Sequence, residues 1–228
     1  MHDDVIRSLR APDQTEMGRV AGGMGAEATA RLAALDAAAE TIRAWYPLLV
    51  PGLLQTGPYA AAAIRSRTPS LPAEEVARRV ESRVQRAQEF LRRWSGEEGP
   101  YAWFIVGEAA LTQPVATMDV HEHQVAHLLG IMERYPRVIV QVLPDDASVA
   151  GNAEPFSVHA LSGGPRVGHV ETVIGGWYTV VPEDITRLYA AFSTLGRWAL
   201  SPSETRKAVM AWLTHCGAPG APGTVPSS

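Results

Sequence analysis

The sequence predicts an α+β fold: a central, largely antiparallel sheet of about five strands packed against N- and C-terminal helices. Three observations carry that expectation. Apolar residues recur at helical spacing before residue 95 and after residue 181. Short apolar or alternating runs, punctuated by Gly, Pro, Asp and Asn, fill the middle. The last three runs lie too close together for helical crossovers, so they form an antiparallel meander. With 228 residues, 46% of them hydrophobic, the chain can bury a substantial core. One domain is expected over 26–214, between a flexible lead-in over 1–25 and a disordered tail over 215–228.

Each element has its own signal. The lead-in carries Gly18, Gly22, Gly23 and Gly25 but neither the preceding strand nor the Gly-Lys-Ser/Thr of a phosphate loop. Alanine-rich text predicts a helix over 26–45, closed by Pro47, Pro51 and Gly52. The second helix starts at Pro72 and runs to Trp94. Its Val76, Val80, Val84, Ala87, Leu91 and Trp94 form one apolar stripe. A continuous apolar run over 101–106 reads as a strand covered on both faces. A helix follows from Asp119, with Glu122 placed as in a capping box and Val125, Leu128, Leu129 and Met132 facing inward. Strands are expected over 137–143, 156–161, 166–173 and 177–181. Two helices finish the domain, one opening at Pro182 and one capped by Ser201 and Glu204.

Several function classes are excluded by composition and motif. A net charge of −4 has the wrong sign for a chain that grips a phosphate backbone, so no direct nucleic-acid contact is expected. No apolar run is long enough to span a membrane, and the N-terminus lacks a signal peptide's pattern, so a cytoplasmic location is expected. The single cysteine, Cys216, rules out a disulfide scaffold. There is no Gly-x-Ser-x-Gly elbow, P-loop or dinucleotide fingerprint, and no cofactor is expected. His121, His123 and His127 cannot all reach one ion from a single helix, and no metal site is predicted.

Two places carry polar residues in unexpected positions. Arg83 points into the apolar arc of the 72–94 helix. Its head either snorkels to water or is buried against a carboxylate, for which Glu108 and Glu171 are the candidates. Arg86 lies further round, towards the rim. In the 166–173 strand, His169 and Glu171 share one face and could exchange a proton or contact a ligand together. A solvated face or a structural histidine would account for the same pattern. Trp177, Tyr178, Trp103 and Phe104 could form an aromatic wall, or pack in the core.

A family resemblance adds to this reading. The run Pro51-Gly52-Leu53-Leu54-Gln55-Thr56 is followed by Tyr59-Ala60, then by Arg83-x-x-Arg86, Gly107-Glu108-Ala109-Ala110-Leu111 and Gln124 with Leu128. Gln141-Val142-Leu143-Pro144, Pro155-Phe156, Val170-Glu171-Thr172 and Leu195-x-x-x-Ala199-Leu200-Ser201 continue it. Together they resemble the domain of unknown function that follows an Xre-type helix-turn-helix in actinobacterial WhiJ-like and antitoxin-like regulators. His169 stands where that family shows an aromatic residue, and Ala87 where it shows Gln. Residues 1–40 are too short and too rich in Gly and Ala for the multi-helix DNA reader.

The resemblance implies a regulatory module that senses a ligand or partner for an attached DNA-binding head. With residues 1–40 departing from that pattern, a stand-alone sensor domain that binds a small molecule or a small partner protein, without its own DNA-binding head, is expected. Arg83, Arg86, Gln55, Gln124, Trp177 and Tyr178 are the candidate ligand contacts. The alternative is a cofactor-independent enzyme of specialised metabolism, carrying out acid/base cyclisation, isomerisation or hydrolysis in the same pocket. His169, Glu171 and Glu108 would then be catalytic.

Overall fold

The computed structural model describes residues 19–23, 26–96, 100–147, 154–172 and 175–216. Seven strands are present: β1 (Arg19–Gly23), β2 (Ala39–Tyr46), β3 (Tyr101–Gly107), β4 (Val138–Leu143), β5 (Phe156–Leu161), β6 (Arg166–Thr172) and β7 (Gly175–Thr179). They form one sheet in the order β1-β7-β6-β5-β2-β3-β4. The predicted meander β5-β6-β7 is antiparallel, as are β1 with β7 and β2 with β5. β2, β3 and β4 run parallel, and each parallel step is made by helices.

α1 (Ala26–Ala38) leads into β2; the helices of the parallel steps are α2 (Gly57–Arg67) and α3 (Ala73–Arg93), then the short α4 (Ala109–Thr112) and α5 (Met118–Arg134). α6 (Pro182–Trp198) and α7 (Pro202–Cys216) close the chain. The architecture is the α+β class that the sequence predicts, with a larger sheet. No described helix is long and apolar enough to cross a membrane.

The two extra strands come from places read otherwise. The helix expected over 26–45 ends at Ala38, and the chain passes directly into β2. Alanine propensity dominates that window and hides Thr41, Ile42, Trp45 and Tyr46, whose branched and aromatic side chains suit a strand. Pairing with β3 on one side and β5 on the other then overrides helix propensity. The lead-in, expected to be flexible over 1–25, contributes β1 at the sheet edge. Residues 1–18 and 217–228 lie outside the described residues. α7 runs to Cys216, past the start of the expected tail. The Ser201–Glu204 cap forms in both directions: Ser201 Oγ accepts from the Glu204 amide, and Glu204 Oε2 accepts from the Ser201 amide. At α5 the N-cap is Thr117, without a side-chain bond.

The two faces of the sheet are covered differently. α6 lies on one, where Trp45, Ile105, Phe156, Phe192 and Leu195 make a compact cluster. On the other face α5 covers β3 and β4 with Val125, Leu128 and Ile131 over Phe104, Val106 and Val140. α3 reaches the sheet at its C-terminal end, where Phe90 sits edge-on to Phe104 at 6.1 Å. Towards its N-terminus α3 stands off the meander, and a cavity occupies the gap. The loop after β2 forms part of the cavity wall. It is held against the end of β3 by backbone contact, since a Cβ at Gly107 would lie 2.2 Å from the Pro47 carbonyl oxygen.

Candidate functional site

The cavity measures about 670 Å³, within the range of roughly 300–1,000 Å³ usual for small-molecule sites. Its floor is His169 and Glu171 of β6 and Tyr178 of β7, with Tyr46 of β2 beside them. Its roof is α3, from which Arg79, Arg83 and Arg86 project at helical spacing on one face. The Pro47–Val50 loop, Gln55 and Ile64 complete the walls.

Arg83 is drawn inside, as one of the two readings of its position requires. Its guanidinium donates to Gln55 Oε1 at 2.8 Å, and Gln55 is itself held by donating to the Val50 carbonyl at 2.7 Å. Burial lowers the Arg83 pKa to about 10, and the neighbouring Arg86 charge acts in the same direction. Neither expected carboxylate pairs with it. Glu171 instead binds Arg67 of α2 at 2.9 Å. Glu108 lies away from the cavity, where it accepts the Asp145 amide at 3.0 Å. Glu108 and Glu171 therefore do not converge, because Glu108 leaves the end of β3 towards the β4 loop.

Arg86 lies inside rather than on the rim. Its Nη1 is 3.4 Å from Asp36 Oδ2, and Asp36 Oδ1 is 2.9 Å from His159 Nε2. All three side chains are nearly inaccessible to solvent. Gly52 opposite has no side chain, and a Cβ there would come 3.0 Å from Arg86 Nη2. Sequence reasoning missed Asp36 and His159. Asp36 had a visible signal as the one charge in Leu32-Ala33-Ala34-Leu35-Asp36-Ala37-Ala38-Ala39, whereas nothing marked His159.

His169 and Glu171 do share the cavity-facing side of β6. The His169 ring stacks on Tyr178, with centroids 4.6 Å apart and planes 30° apart. Burial pushes its pKa down to about 4, so it is neutral at neutral pH. Gly176 makes room for the ring, since a Cβ there would lie 2.4 Å from His169 Nε2. The Tyr178 hydroxyl is pushed up to about 12, chiefly by burial, and burial likewise raises Tyr46.

The remaining candidates sit elsewhere. Gln124 is a structural clamp: its side chain donates to the Leu54 carbonyl at 2.8 Å and accepts the Thr56 amide at 2.7 Å. It holds the turn that carries Gln55 but does not line the cavity. Trp177 is 47% exposed and lies outside the cavity, because alternation along β7 puts its neighbour Tyr178 inward. Trp103 packs edge-on to Phe192 under α6, and Phe104 belongs to the core under α5. His121 is buried, with Nε2 2.8 Å from the Leu111 carbonyl, while His123 is exposed on the same helix. Among the described residues, no group of three His, Cys, Asp or Glu could hold a metal ion.

No curated protein matches this chain. A family model described as "Domain of unknown function (DUF5753)" matches residues 29–211, a span that contains the cavity and every strand from β2 to β7. The chain belongs to that family.

Proposed function

We propose that this domain is a sensor that captures a small molecule in the cavity between α3 and strands β6 and β7. The observation that carries this reading is Arg83: a guanidinium drawn into a preformed cavity and oriented there by Gln55. Burying a cation is costly without a matching group, and such sites are kept where a ligand uses them. In the actinobacterial regulators that the sequence resembles, the domain follows a DNA-reading helix-turn-helix. Capture of the ligand would therefore report to a DNA-binding unit in the cytoplasm.

A second reading has one observation in its favour. His169, uncharged at neutral pH, and Glu171 open onto the same cavity, as a cofactor-independent acid/base enzyme of specialised metabolism would need. Sensing is the better supported of the two. The Glu171 carboxylate is held by Arg67, Glu108 is remote, and the His169 ring is packed on Tyr178 and over Gly176.

The test is ligand-observed NMR of a diverse small-molecule library against the wild type and Ile64→Trp, which fills the cavity from α2. Hits that disappear in the folded Ile64→Trp variant are the expected result. No hits, or hits that persist in the filled variant, would overturn the reading. Steady turnover of any hit, lost in both His169→Gln and Glu171→Gln, would favour the enzyme.

A further inference from the structure

We propose that the cavity's ligand is an organic monoanion, whose acidic group meets the Arg83 guanidinium while its body packs on the aliphatic part of the lining. This rests on the cavity being the binding site and adds the chemical class of the ligand.

The argument is a charge count. Among the described residues, the charged side chains lining the cavity are Arg67, Arg79, Arg83, Arg86 and Glu171. Arg67 is matched by Glu171 at 2.9 Å, and Arg79 by Glu75 at 2.6 Å, a carboxylate that Arg78 also contacts from the solvent-exposed side, outside the cavity lining. Arg86 faces Asp36 at 3.4 Å, and Asp36 also binds His159. Arg83 has no place in any of these pairs; its hydrogen-bond partner is the neutral amide of Gln55, and the Glu171 charge acts on it without a direct ion pair. His169 adds no charge, because burial keeps its ring deprotonated at neutral pH. One positive charge is left over, at the centre of the roof.

That remainder sets the ligand's charge. A neutral ligand would displace water from Arg83 and leave the cation unmatched, which is unfavourable in a desolvated site. A dianion would leave an excess negative charge in the same place. A carboxylate or sulfonate balances it, and the planar guanidinium has N–H donors left after its bond to Gln55. The rest of the lining is mixed: Leu32, Leu48, Ile64, Val115 and Pro155 offer apolar contact, and Ser66, Thr68, Gln113 and Thr172 offer polar groups. Relief of the burial cost at Arg83 occurs only when the acid arrives, so binding energy is concentrated on one contact.

The test uses two dyes that differ by one group. The probe 8-anilinonaphthalene-1-sulfonate carries an anion, and N-phenyl-1-naphthylamine is the same skeleton without it. Both are titrated by fluorescence into the wild type and Arg83→Met, with folding checked by circular dichroism. The expected result is at least ~10-fold weaker binding of the sulfonate in Arg83→Met, with the neutral dye changed less than about twofold. Arg83→Gln is the second neutral variant, judged by the same ratio if Arg83→Met does not fold. Equal changes for both dyes, or no change for the sulfonate, would overturn the monoanion while leaving a binding cavity intact. If neither dye binds the wild type, or both bind Ile64→Trp undiminished, the cavity itself is not the site and both inferences fall.

Discussion

The two halves of one sheet face are built on opposite principles. Under α5 the parallel strands β3 and β4 present Phe104, Val106, Val140 and Val142 to Val125, Leu128 and Ile131, and the buried His121 and Gln124 of that helix are each hydrogen-bonded to backbone groups. Under α3 strand β6 presents His169 and Glu171 to three arginines across an open space, and beside it the buried His159 of β5 binds Asp36. Parallel strands made by helical crossovers are covered on both faces and read as unbroken apolar runs. A meander is free to keep one polar face, and here that face is enclosed by a helix that stands away from it. Dry packing and the polar cavity are thus assigned to different strands of a single sheet, joined at β2.

The sharpest way to break this division is to attack the dry half. Phe104→Ala removes a ring that is 1% exposed and in contact with Phe90. A loss of about 4 kcal/mol is expected in urea denaturation, within the range for buried aromatic truncation. The next largest effect is in the polar half. Asp36→Ala leaves Arg86 and His159 without their shared carboxylate, and about 3 kcal/mol should be lost, as when one partner of a buried pair is removed. If Asp36→Ala proves as stable as the wild type, the polar half does not contribute to stability in this way.

A pH titration separates the halves further. The folded His169 pKa is pushed down to about 4, below the ordinary 6.5. Its contribution is therefore fully present above 6.5 and is lost as pH falls towards 4, because the unfolded chain takes the proton first. Between pH 7.5 and 5 that loss amounts to about 2 kcal/mol. His169→Gln should flatten the stability profile by this amount relative to the wild type. An unchanged profile would mean that the ring is solvated. The smallest effect belongs to Trp177→Ser, which removes an exposed ring outside both halves and should shift stability by less than ~0.5 kcal/mol and leave dye binding unchanged.

How much of this was readable from residues alone follows the same division. Elements with strong periodicity were legible: the α3 stripe, the β5-β6-β7 meander and the Ser201 cap each depend on neighbours in sequence. β2 was not, because its strand character comes from pairing with β3 and β5, some sixty and one hundred and twenty positions away. At the site, spacing placed Arg83 inward and put His169 beside Glu171. It could not choose the partner of either, since Arg67 and Glu171 meet only after α2 has folded over the end of β6. Arg86 was assigned to the rim because helical direction alone does not reveal that α1 brings a carboxylate to it. Gln124 shows the converse error: its motif marked a position that matters, but for holding a turn.

Gly107 gives one wall of the cavity an unusual kind of control. The Pro47–Val50 segment rests on bare backbone at that point, and a single methyl group would wedge it away from the strand end. The position of that wall is therefore gauged by an absent atom, at a residue that is not itself part of the lining.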